Sequence, residues 1–236
     1  MLHLDPVVSR WKLLRGREAR YPRTGRYDLS NVTPNMRRTL VEWLRTLSLE
    51  EEDIMSFESW VLAVDLVDRL LADAAVAPHL TRKNFQLVGA VCLWIACKMH
   101  DRYFMSAEDW VASMADAYPT TRLLGMEWQV MEWLHYSVHS GTVLDFVMYQ
   151  LDKAGTEVDW EKIKGLVHAQ VLTNDYHLPS EQARGLVVEY HEMHTPTKQR
   201  HKDHHRDATN DPVRADGAEE AARVWQRGRK RAKSDR

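Results

Sequence analysis

Between Leu87 and Cys97 eleven consecutive residues offer no polar face. A helix that is apolar on every side must be surrounded either by lipid or by protein. Crossing a bilayer takes about 18 or more apolar residues, and this run ends at Lys98. The remaining solution is a bundle in which other helices pack around a central one, so the segment predicts an all-α fold. The rest of the chain must then supply the packing partners.

Helical spacing of apolar residues recurs on both sides of it, strand-like alternation is nearly absent, and 236 residues contain only 10 Gly and 8 Pro. Thr33-Pro34 reads as a helix start, a hydroxyl cap followed by proline at the first helical position. Met36, Leu40, Trp43 and Leu47 then fall at i, i+4, i+7 and i+11, with Val41 and Leu44 beside them. That stripe is wider than one core contact needs. Ser48-Leu49-Glu50-Glu51 has the capping-box pattern or is simply the connection. A second helix carries Trp60, Val61, Val64, Val67, Leu70 and Leu71, and the central one begins near Thr81. Ser106-Ala107-Glu108-Asp109 opens a fourth with Trp110, Val111 and Met114 as its buried side. A fifth follows Pro119 and buries Leu123, Leu124, Val130, Met131 and Leu134. Three shorter helical stretches are expected at 142–151, 159–173 and 179–193, punctuated by Gly155 and Pro179.

Charge divides the chain unevenly. Residues 195–236 hold 12 Lys and Arg against 7 Asp and Glu, a net of +5; residues 1–194 hold 20 against 27, a net of −7. The C-terminal segment has almost no large apolar residues beyond Val213, Val224 and Trp225, and a segment that polar cannot offset the entropy of ordering itself. It is expected to be a mobile tail. The expected organisation is an N-terminal segment (1–32), a five-helix unit (33–140), a partial second helical unit (141–194) and the tail (195–236).

Cys92 and Cys97, the two cysteines, are too few for a disulfide framework or a four-thiolate zinc site. Five residues apart in one apolar run, they read as reduced core thiols of an intracellular protein. The N-terminus, with Asp5, Arg10 and Lys12, lacks the apolar core of a secretory signal. His191, His194, His201, His204 and His205 stand among charged residues without a core, which reads as solvated tail rather than a metal site. Arg227–Lys233 is a basic cluster of nuclear-localisation type. No phosphate-binding glycine loop, HExxH helix or nucleophile elbow occurs, so the chain is not expected to be an enzyme and no cofactor is expected.

Four segments, in order, resemble the cyclin family: Met36-Arg37-Arg38-Thr39-Leu40-Val41-Glu42-Trp43-Leu44, Leu62–Leu71, Phe85-Gln86-Leu87-Val88-Gly89-Ala90 through Ala96-Cys97-Lys98-Met99, and Met126-Glu127. The resemblance covers residues 30–140, with 141–193 as the start of a second cyclin fold. Lys98-Met99 and Leu144-Asp145-Phe146 look most like the D-type branch, and the short, divergent chain looks more like a gammaherpesvirus-encoded D-type homologue than a cellular one. Two departures stand out. No Leu-x-Cys-x-Glu motif occurs, and only about three of five helices of the second fold are legible.

The resemblance implies a regulatory subunit that binds and activates a cyclin-dependent protein kinase and promotes cell-cycle progression, in the nucleus and cytoplasm (of a host cell, if viral). It implies that Lys98 and Glu127 contact the kinase near its mobile C helix. Read alone, Lys98 is a lysine whose stem covers apolar surface while its ammonium reaches water, and Glu127 belongs to a solvated face. The resemblance also makes Met36, Leu40, Trp43 and Gln86 a docking patch for substrate or inhibitor peptides. The acidic residue expected one turn later falls at Thr46, beside Arg45, so a basic peptide would meet a cation, and a plain core stripe is the equal reading. Arg37 and Asp68 correspond to a buried structural ion pair. Two rivals remain. One is a kinase-binding decoy that does not activate; the other is a cyclin-fold transcription or nucleic-acid adaptor, which a body at net −7 disfavours because it repels phosphate. No membrane partner is expected.

Overall fold

The computed structural model describes residues 6–20, 30–50, 54–173 and 178–194, which fall within one compact unit running from Met1 to Thr195. The mobile-tail expectation, the basic cluster at 227–233 and His201, His204 and His205 lie outside the described residues. So does the side chain of His194.

Among the described residues the secondary structure is helical: α1 (Pro6–Arg20), α2 (Pro34–Glu50), α3 (Phe57–Ala72), α4 (Phe85–His100), α5 (Ala107–Ser113), α6 (Thr120–Trp133), α7 (Val143–Ala154), α8 (Trp160–Leu172) and α9 (Pro179–His194). Short side chains set the boundaries. The Thr33 hydroxyl accepts from the Met36 N–H at 3.2 Å, and Ser56 and Ser106 do the same for Ser59 and Asp109. Thr142 and Asp145 cap each other reciprocally at the start of α7, satisfying two donors that a helix start leaves open. Gly155 ends α7 at φ +63°, a conformation that costs glycine no Cβ clash.

Every residue from Leu87 to Cys97 is buried, as a central helix requires. α3 packs most extensively against α4, and α2 and α6 also lie against it. Gly89 permits the close approach of α2: a Cβ there would stand 2.7 Å from both methyl carbons of Leu40. α7, α8 and α9 form the second group, with α7 on α9 and α8 on α9, and both α7 and α8 reach back to α3.

Three local expectations are corrected. Ser48 does not cap a new helix: α2 continues to Glu50, and the buried Ser48 hydroxyl donates to the Arg45 carbonyl at 2.9 Å. The central helix begins at Phe85 rather than near Thr81, because Thr81 is held in the preceding turn by the Asn84 side chain. Leu124 is exposed, not part of the buried side of α6.

α1 has no counterpart among the expected helices. It turns Trp11 and Leu14 inward, with Trp11 edge-on to Phe146 and tilted against Tyr149 of α7. Its Glu18, 3% exposed, accepts from the Ser180 N–H (2.7 Å) and hydroxyl (2.9 Å) at the start of α9, and also from Arg15. A carboxylate at a helix N-terminus meets both free N–H groups and the positive end of the helix dipole.

Candidate partner-binding face

Lys98 and Glu127 sit 29 positions apart in sequence, yet their side chains form an ion pair between α4 and α6. Both are about a quarter exposed, so the pair lies at the rim of the core rather than within it. The Lys98 ammonium also stands 3.3 Å from the centre of the Trp94 ring, one helical turn earlier. An indole face is the best aromatic partner for a cation. Lys98 is therefore held from two sides, by a carboxylate and by a π surface.

Several large apolar side chains lie exposed on the segments that carry this pair. Leu124 and Trp128 share the Glu127 face of α6 at i, i+3 and i+4 and are exposed, Trp128 to 63%. Trp128 meets Tyr136 edge to face at 6.3 Å, and Tyr136, also exposed, sits at φ 55° in the reversal that follows α6. Met99, Tyr103 and Phe104 are exposed just beyond Lys98. One fixed cation and one fixed anion amid such side chains give a docking partner both contact area and a single orientation.

Arg37 is 4% exposed and holds Asp68 in a two-pronged ion pair, with Nε to Oδ1 at 2.5 Å and one terminal nitrogen to Oδ2 at 2.6 Å. The other terminal nitrogen donates to the Val171 carbonyl of α8 at 3.1 Å. Burial opposes the guanidinium charge, but attraction and hydrogen bonding to Asp68 outweigh it and hold the pKa above its ordinary value. The structure thus brings the two residues together and adds a third partner.

The stripe on α2 divides. Leu40 is buried against Gly89, whereas Met36 and Trp43 are half-buried and Gln86, on α4, is exposed. The Gln86 carbonyl oxygen accepts from the Tyr118 hydroxyl at 3.3 Å. Thr46 is exposed with its hydroxyl turned back to the Glu42 carbonyl. Arg45 stacks over Phe57 and Trp60 at 5.1 and 5.6 Å from the ring centres. That takes its charge away from the stripe, since two residues along a helix is a turn of about 200° from Trp43.

Sequence reasoning missed Trp94 and the loop after α4. Trp94 stood in an apolar run and was legible only as core. Its place one turn before Lys98 was the available signal. Cys92 and Cys97 are both free and buried. Among the described residues no group of three or more His, Cys, Asp or Glu side chains is placed to hold a metal ion, and no helix is long and apolar enough to cross a membrane.

Residues 9–139 match the family model described as "Cyclin, N-terminal domain". The chain is 31% identical over 118 residues to Cyclin-A1-2 of Arabidopsis thaliana, an alignment covering 50% of this chain and 25% of that protein. It is likewise 31% identical over 132 residues to G1/S-specific cyclin-D1 of Xenopus laevis, covering 56% of this chain and 43% of that protein. The chain thus spans less than half the length of these relatives. Among solved structures it resembles a viral cyclin from herpesvirus saimiri, with a TM-score of 0.68 over 80% of this chain and 83% of the other. At 20% identity, that likeness shows a shared fold.

Proposed function

The chain belongs to the cyclin family, and from that premise we propose that it is a regulatory subunit that binds and activates a cyclin-dependent protein kinase, promoting cell-cycle progression. One observation carries the reading: the Lys98–Glu127 pair, seated on Trp94, sets a fixed cation and anion among the exposed Met99, Leu124 and Trp128 of α4 and α6. The kinase C helix packs on that face and turns inward. Its glutamate then reaches the kinase's own lysine, and the activation loop reorders. All groups that transfer the phosphoryl belong to the kinase. The source of activation is higher affinity for the active kinase conformation, without which no population shift follows.

Met36, Trp43 and Gln86 are the accessible part of the patch that would take substrate or inhibitor peptides, with Leu40 as its buried floor. The turning of Arg45 onto Phe57 and Trp60 removes the repulsion that a basic peptide would otherwise meet. The site of action is the nucleus and cytoplasm, of a host cell if the chain is virus-encoded. A decoy that binds without activating is the second reading, and the experiment that follows separates the two.

The test mixes the purified chain with purified monomeric cyclin-dependent kinases. Phosphorylation of histone and of a retinoblastoma fragment is followed, with Lys98→Glu as control. Activation by the wild type and its loss in the variant is the expected result. Binding without activation would establish the decoy. Equal activation by Lys98→Glu would remove the face from consideration.

A further inference from the structure

The loop from Asp101 to Met105 joins α4 to α5 beside the Lys98–Glu127 pair, and it is fastened at both ends. At its start the Asp101 carboxylate accepts from the Ser59 hydroxyl at 2.8 Å and from the Ser56 N–H at 3.2 Å, both at the head of α3. At its end the Met105 carbonyl accepts from the indole N–H of Trp94 at 3.0 Å. Between these two anchors Tyr103 and Phe104 stand 66% and 56% exposed. Arg102 lies over the Tyr103 ring at 5.6 Å.

Two adjacent aromatic residues at the tip of a loop gain little from folding, because neither ring reaches the core. A loop free to move would fold them inward or collapse over them. Here the polar fastenings hold the backbone, so the rings stay presented, and their ordering cost is met before any partner arrives. Trp94 does two separable things: its π face seats Lys98, and its N–H pins the loop. The charged pair and the aromatic tip are thereby tied to one buried side chain.

We propose that Tyr103 and Phe104 form a second anchor of the partner-binding face, inserting into an apolar recess of the cyclin-dependent kinase beside the contact made by Lys98 and Glu127, and that Trp94 is the positioning residue that holds both. The inference rests on the kinase-binding reading above and specifies a further part of the same surface. The partner chemistry follows from the residues: a shallow apolar recess wide enough for two rings, with an acceptor near its rim for the Tyr103 hydroxyl. Rigid aromatic anchors of this kind, fully covered on binding, are the side chains that dominate interface energetics.

The experiment measures kinase affinity and kinase activation for the full chain and its variants. The Tyr103→Ser/Phe104→Ser double variant should bind about tenfold or more weakly, with a thermal midpoint equal to or above that of the wild type, because exposed rings are being removed. Should the double variant fold poorly, the single variants Tyr103→Ser and Phe104→Ser carry the same test. Trp94→Phe keeps a ring near Lys98 but removes the N–H that pins the loop; it should lose affinity, and wild-type affinity in this variant would overturn the positioning role of Trp94. Binding by the double variant within twofold of the wild type, while Lys98→Glu abolishes it, would overturn the second anchor and leave the kinase-binding reading standing. Wild-type binding by Lys98→Glu, or no kinase binding by the wild-type chain, would overturn both.

Discussion

Arg37 and Asp68 join α2 to α3 through two parallel hydrogen bonds of 2.5 and 2.6 Å, and the same guanidinium extends to the Val171 carbonyl of α8. One buried cation therefore holds three helices from both halves of the described unit. Removing it leaves Asp68, 20% exposed, without its cation and the Val171 carbonyl without this donor. Arg37→Ala should cost roughly 3–5 kcal/mol of stability, read from urea unfolding. A loss under 1 kcal/mol would mean that water replaces the guanidinium freely.

Glu18 ties α1 to the first turn of α9 by accepting from the Ser180 N–H and hydroxyl. Glu18→Ala strands a buried donor and should cost about 1–3 kcal/mol. Glu18→Gln, which keeps an acceptor oxygen, should cost less. Limited trypsin digestion separates the two outcomes: cleavage within α1 should accelerate in Glu18→Ala. Unchanged digestion would show that Trp11 and Leu14 hold the helix unaided.

His168 of α8 lies against Trp60, with ring centres 5.4 Å apart. Burial, and next the nearby Arg45 charge, lower its pKa below the ordinary 6.5, while Glu42 pulls weakly the other way. The folded chain therefore keeps this imidazole neutral after the unfolded chain has taken up a proton. Its contribution is fully present above about pH 6.5 and declines as the pH falls from there through the folded pKa. Urea midpoints at pH 7.5 and pH 5 should differ less in His168→Gln than in the wild type. An identical drop in both would assign the acid sensitivity to other groups.

Burial pushes both thiols well above the ordinary range, and for Cys97 the neighbouring Asp101 carboxylate adds to the effect. A thiolate is the reactive species. The native chain should leave a thiol-selective reagent untouched at pH 8, and the unfolded chain should consume two equivalents, matching its 2 cysteines. Rapid labelling of Cys97 in the native state would show that the C-terminal end of α4 opens locally.

How much of this was legible beforehand depended on where each signal lived. α4 announced itself, since eleven consecutive apolar residues, too few to span a bilayer, have to be seated inside a helical bundle. α1 did not: its large apolar residues, Val7, Val8, Trp11, Leu13 and Leu14, stop at its ninth position and give way to a charged stretch, and the partner of Glu18 lies 162 positions away. Ser48 had the residue pattern of a cap, but a serine hydroxyl inside a helix satisfies itself equally well on a carbonyl of the preceding turn. Lys98 and Glu127 were paired only through the family resemblance, because spacing along one chain cannot bring α4 to α6. Leu124 fits the helical period, yet the period marks a face without saying whether that face is covered. Trp94 was hidden by its own surroundings: a core residue by composition, and a platform for a cation only in three dimensions.

The polar contacts that reach α8 and α9 from the N-terminal helices have a bearing on how the chain comes apart. Arg37 of α2 donates to the Val171 carbonyl of α8, and Glu18 of α1 accepts from Ser180 at the head of α9. If the C-terminal helices peel away, each of these buried charged side chains loses a partner, so opening of that group alone is disfavoured. Cutting the chain between α6 and α7 would not liberate a self-sufficient half. It would leave a fragment in which buried Glu18 has lost Ser180 and buried Arg37 has lost the Val171 carbonyl.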